Sequence, residues 1–172
     1  RDNIHCLDRN LSGCGYPGER LAKSSPAQGR AAMRPEIWTK NAQLSLDIQA
    51  LGRSAPERAG AERFISEKYK EIHNASLTAF FSTLFAGYAA GAMQVAIGLE
   101  SLNGKAAFLE QYLEAPVQLS LEKITQARVP RESIVEIGNL ASLNMENAQL
   151  MVAFLVFYLS RQQTAWAVCT GT

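Results

Sequence analysis

Residues 77–99 carry no charge at all: LTAFFSTLFAGYAAGAMQVAIGL. As a single helix, at about 1.5 Å per residue, the run is long enough to cross a bilayer, and Gly87 with Gly91 forms a small-residue pair of the kind that packs membrane helices together. Its composition argues against that. Ser82, Thr83 and Gln94 interrupt the apolar surface, no aromatic-and-basic girdle brackets it, and Gly87, Gly91 and Gly98 weaken a helix. Two buried strands joined near residues 89–91, running over 80–88 and 92–99, suit the same residues better. The run is therefore read as a sheet-centre hairpin, with a membrane span as the alternative.

The flanks supply partners for such a hairpin. Residues 59–73, AGAERFISEKYKEIH, place Phe64, Ile65, Tyr69 and Ile72 on one helical face, and Asn74 and Ala75 end it. Beyond the hairpin, Asn103-Gly104 signals a turn. Phe108, Leu109, Tyr112 and Leu113, then Val117, Leu121 and Ile124, keep a helical face on either side of Pro116, which helps to start the second helix. SIVEIGNLAS reads as a strand of β-formers around Glu136, AQLMVAFLVFYLSRQ as a helix apolar nearly all round and hence buried, and TAWAVCTGT as a last strand. The order helix, strand, strand, helix, strand, helix, strand implies an α/β (α+β) architecture with helices on both faces of a sheet.

Bulk properties narrow the function. At 172 residues and 47% apolar content the chain supports one core. Seventeen basic against sixteen acidic residues give no excess of positive charge for a nucleic acid. Cys6, Cys14 and Cys169 lack metal-ligand spacing, and two histidines leave little material for a hydrolase triad. Residues 1–32, rich in Gly, Ser and Pro, have no periodicity and are expected to be disordered, as upstream sequence preceding a single domain over 33–172. The first residues lack a secretory pattern, so a cytoplasmic location is expected.

Four segments then become specific: RFISEKY, AAFLEQYLEAPVQ, VPRESIVEIGNLAS and WAVCTGT. In this order and at these separations they resemble the thermostable hemolysin family, most strongly in FLEQYL and PR..IVEIGNLAS. The resemblance covers roughly residues 61–172 and implies a domain truncated at its C-terminus. It also implies a fold similar to Gcn5-related N-acyltransferases and acyl-homoserine-lactone synthases, with a central, mostly antiparallel sheet and a strand that splays from its neighbour to admit an acyl-thioester arm. By that likeness 134–140 is the central strand, 147–160 the helix after it and 166–169 the splayed neighbour. Gly138, Asn139, Leu140, Ala141 and Ser142 would bind the donor, with Asn147 at the helix N-terminus, where amides and the helix dipole favour a pyrophosphate. NLASLNMEN departs from the Gly-rich phosphate loop of catalytic relatives, and Glu146 would repel an anion there. Leu99-Glu100 likewise stands where relatives carry a basic residue. The donor is therefore expected to be a coenzyme A or acyl-carrier-protein thioester, used as co-substrate with no tightly bound cofactor, and the acceptor a small amine or amino acid.

Glu136, a carboxylate inside an apolar strand, is the candidate general base, because desolvation would raise its pKa. Glu110 is a second candidate if it converges on Glu136; a salt bridge to Arg131 or Lys105 is its bland alternative. Arg131 could grip an acceptor carboxylate bidentately or form a surface pair with Glu132 or Glu136, and Gln111 completes the candidate acceptor site. Asn139 either presents its amide to the donor or caps a turn. His73 suits a helix C-terminus and Cys169 a small core position. Two rivals to acyl transfer remain: a secreted membrane-damaging cytolysin using 77–99 and 148–159, and an inactive thioester-binding domain.

Overall fold

The uncharged run turns back on itself at Ala90 and Gly91, both at positive φ (49° and 77°). This two-residue turn joins β2 (Thr83–Ala89) to β3 (Ala92–Ser101) in an antiparallel hairpin. Among the described residues no helix is long and apolar enough to cross a membrane. The structure, a computed structural model, describes residues 45–162 and 164–170. The expectations for residues 1–32 lie outside the described residues.

Positive φ at both turn positions is the geometry in which Asn-Gly is favoured, and a left-handed alanine is strained by about 1–2 kcal/mol. Ala90→Asn is accordingly expected to raise stability by about 1 kcal/mol. The check is urea unfolding: the midpoint should rise at unchanged slope, and an unmoved midpoint would show that the turn holds no strain.

The hairpin is the middle of a five-stranded sheet in the order β1-β2-β3-β4-β5. β4 (Ile134–Ser142) lies antiparallel to β3, and β5 (Trp166–Cys169) parallel to β4. A parallel neighbour needs a crossover, which α3 (Met145–Ser160) provides. β1 (Asp47–Leu51) pairs along β2 from Asp47↔Tyr88 to Leu51↔Leu84 and is an element the sequence reading did not contain. Its segment, DIQAL, has only Ile48 and Leu51 as large apolar residues, so its strand character comes from the neighbour.

Alternation along the strands sends side chains to two separate layers. On one face Phe85, Val95, Ile97 and Val135 pack with Met151 and Leu155 of α3. On the other, α1 (Arg58–His73) brings Ala61 and Ile65 onto Leu84, Ala86 and Ala96, while α2 (Val117–Thr125) brings Val117 and Leu121 onto Ile134 and Val168. Between these two clusters, on the same face, runs a polar seam.

Four expected apolar faces need correcting. α3 is not buried all round: Asn147, Met151, Leu155 and Leu159 form a single buried stripe, and Val152, Val156 and Phe157 are exposed. One sheet face beneath a helix can cover only one stripe of it. Ile72 at the end of α1 and Ile124 at the end of α2 are exposed. Residues 108–112 form a 3-10 turn, Phe108–Tyr112, that buries Leu109 but leaves Phe108 and Tyr112 outside.

Candidate functional site

The polar seam is built from three glutamates on neighbouring elements. Glu100 of β3 and Glu136 of β4 are register partners, so their side chains leave the sheet side by side. Glu136 is 2% exposed and accepts hydrogen bonds from the backbone N–H of Phe108 and of Leu109, each at 2.7 Å. It thereby caps the N-terminus of the 3-10 turn, whose amides have no partner within the turn. Burial pushes its pKa above the ordinary glutamate range, against the pull of the two N–H donors, and the charges of Glu110 and Glu100 add to the rise.

Glu100 accepts from Ser82 twice, from N–H at 2.6 Å and from the hydroxyl at 2.8 Å, and pairs with Lys105. Burial pushes its pKa up, but the Lys105 and Ser82 bonds outweigh that and hold it below the usual range. Glu110 lies within the turn itself. Arg131 grips it bidentately at 2.8 and 3.0 Å, and the N–H groups of Ala107 and Val117 add two more bonds. The Arg131 guanidinium, chiefly, holds Glu110 below the usual carboxylate range.

Two expected partnerships are thereby decided. Glu110 takes Arg131 rather than Lys105, and Arg131 takes Glu110 rather than Glu132 or Glu136. The Arg131 fork is filled, with further bonds to the Lys105 carbonyl and Gln118. Gln111 is exposed and donates back to the Phe108 carbonyl at 3.0 Å, away from the seam.

The candidate donor-binding residues are placed by a β-bulge. The β3–β4 register passes from Gly98↔Gly138 to Ala96↔Ala141, which leaves Asn139 and Leu140 opposite Ile97 alone. Asn139 takes the left-handed conformation (φ 51°), and its side-chain oxygen accepts from the Phe81 N–H at 3.0 Å. The amide thus fastens the bulge to the segment before β2. A Cβ at Gly138 would stand 2.8 Å from the Phe81 ring, so a larger residue there has to push that ring aside. Leu140 is exposed, Ala141 is buried in the α1 cluster, and the Ser142 hydroxyl donates to the Asn144 carbonyl at 2.7 Å. Asn147 is buried, and its N–H donates at 2.8 Å to the side chain of Asn144, the N-cap of α3.

Arg58, Ser82, Glu100 and Lys105 belong to the seam but were not singled out as candidates. Arg58, only 6% exposed, donates to the carbonyls of Leu51, Phe81 and Ser82 and pairs with Glu62. The signal available for Glu100 was its position, a carboxylate directly after a 23-residue uncharged run. Cys169 is half-buried; burial raises its pKa and Glu136 raises it further, so its thiol is a poor nucleophile. Two open surface hollows, one beside Lys70 and Leu77 and one at Gln126 and Arg128, share no wall with β4.

Residues 51–172 match the thermostable hemolysin family, a span containing α1, the seam and every strand from β2 to β5. The chain belongs to that family. No curated protein and no solved structure matches it. The two segments that most strongly suggested a thermostable hemolysin, FLEQYL and PR..IVEIGNLAS, hold one another: Glu136 of the second caps the turn formed by the first, and Glu110 of the first fills the Arg131 fork of the second.

Proposed function

We propose that the chain transfers an acyl group from a thioester to an amine, with the donor's extended arm lying along β4 beyond Ile137. The observation that carries this reading is the carboxylate of Glu136, 2% exposed and with its pKa raised by burial, on the strand that bulges at Asn139. A buried carboxylate with raised proton affinity can take the proton of an amine, and an extended strand can hold a pantetheine-like arm by main-chain hydrogen bonding.

The start of α3 favours one donor type. Asn144 already occupies an amide that a pyrophosphate would use, and Glu146 adds negative charge in the first turn. A carrier-protein thioester, which places no pyrophosphate there, fits better than coenzyme A. In the reaction the amine nitrogen attacks the thioester carbonyl; the N–C bond forms, the C–S bond breaks, and the amine's proton passes through Glu136 to the departing thiolate. An acceptor bearing a carboxylate has to displace Glu110 from Arg131, which favours a plain amine.

Thiol release from carrier-protein and coenzyme A donors, with a panel of amines and amino acids, tests the reading. Release that needs both donor and acceptor is expected. No release from any donor overturns it, and binding without release assigns an inactive thioester-binding domain instead. A second reading, membrane damage, is favoured by the exposed apolar side of α3; leakage of liposomes at low protein concentration is its readout.

A further inference from the structure

We propose that the outer face of α3 is where two copies of this chain pair, antiparallel and about a two-fold axis near Ala153. Opposite its buried stripe the helix exposes Leu150, Val152, Val156 and Phe157, with Ala153 between them. No charged residue occurs from Asn147 to Ser160. Such a face leaves apolar area in water that a second surface can cover.

The charges at its two ends identify that second surface. Glu146 lies in the first turn of α3 and Arg161 directly follows the last, and among the described residues neither makes an ion pair. The Arg161 guanidinium stands 5.6 Å from the centre of the exposed Phe157 ring, which aligns it with the apolar face. Antiparallel pairing sets Glu146 of each copy against Arg161 of the other. Parallel pairing would oppose like charges at both ends.

The spacing is self-complementary. With Ala153 on the axis, Leu150 meets Val156, Gln149 meets Phe157, and Glu146 meets the end carrying Ser160 and Arg161, so the same patch serves both partners, as a two-fold contact requires. The small side chain at the centre lets the two helix axes approach to roughly 8 Å. A membrane surface fits less well: helices that lie in the lipid interface carry Lys and Arg along their polar flanks, whereas this face has one acid, one base, Gln149 and Ser160. α3 is roughly 24 Å long, so the contact is small and the dimer is expected to be weak, with micromolar dissociation.

Sedimentation equilibrium of the full chain across concentrations is expected to show reversible monomer–dimer exchange. Val156→Glu, at an exposed position, should weaken it at least tenfold while circular dichroism stays unchanged. Glu146→Arg and Arg161→Glu should each weaken it, and the two together should restore it, which a structural defect would not do. Ala153→Cys should form an intermolecular disulfide on oxidation that the wild type, with its own cysteines, does not form. A monomer at every concentration, a dimer indifferent to Val156→Glu, or a dimer that Ala153→Cys fails to cross-link overturns the proposal. A monomer that binds vesicles and loses that binding in Val156→Glu assigns the face to membranes instead.

Discussion

Arg58→Met is expected to lower the stability of the domain by about 3–5 kcal/mol, the range for breaking a buried charged hydrogen-bond network. The side chain is almost wholly buried and donates to three main-chain carbonyls from two separate segments, Leu51 at the end of β1 and Phe81 and Ser82 before β2. Methionine fills similar space but donates nothing, so the carbonyls lose a charged partner in a place where water replaces it poorly. The effect should spread. The segment held by Arg58 carries the Phe81 ring over Gly138 and presents Ser82 to Glu100, so its loosening frees the bulge of β4 and one side of the glutamate seam. Urea unfolding should show a midpoint far below wild type at unchanged slope, with Arg58→Lys in between because an ammonium cannot reach all three carbonyls. A loss under about 1 kcal/mol would mean that the carbonyls are satisfied by water and that Arg58 is not the clip.

The elements legible in the sequence were those whose own composition decides them. The hairpin followed from glycines and hydroxyls inside an uncharged run, and α1 from its apolar spacing and the Asn74 stop, which takes a left-handed cap at φ 50°. β1 was not legible, since DIQAL becomes a strand only because β2 offers an edge. The exposed side of α3 was misread because an all-apolar helix has the same sequence whether one face or every face is covered. In the site, Glu136 stood out as a carboxylate among β-formers, but its partners are the amides of Phe108 and Leu109, and main-chain donors leave no trace in residue type. Arg58 escaped for a related reason. It opens a helix of ordinary charged composition beside Glu57 and Glu62, and only the tertiary fold turns it inward onto carbonyls.

Glu136→Gln is expected to do two separable things. Read from the sequence, the substitution is a neutral isostere that removes a base and leaves folding intact; the geometry changes that expectation. Each carboxylate oxygen accepts one backbone N–H, and an amide has a single oxygen to offer, so its NH2 group faces one of the two donors. Leaving one buried donor unmet costs about 1–3 kcal/mol. The cost should depend on pH. Because the folded state raises the pKa of Glu136 above the ordinary value of 4.5, folding binds the proton more tightly than unfolding does, and this contribution is complete below pH 4.5 and lost as pH rises through the folded pKa. Glu100 and Glu110 have lowered values and act in the opposite sense, their contribution present above 4.5 and lost as pH falls through their folded pKa values. The gap between wild type and Glu136→Gln should therefore be at full width at and below pH 4.5 and narrow toward neutrality, while the acid limb stays common to both; a gap that widens with pH would reverse the assignment. Activity is then read at neutral pH, where the folded fraction of the variant is high. If Glu136 takes the amine's proton, kcat/KM should fall at least 100-fold, a loss on the scale of removing a general base and too large for a small change in folded fraction to explain. A fall that merely tracks the loss of stability leaves Glu136 as the residue that holds the Phe108–Tyr112 turn against the sheet, and places the proton acceptor elsewhere along the seam.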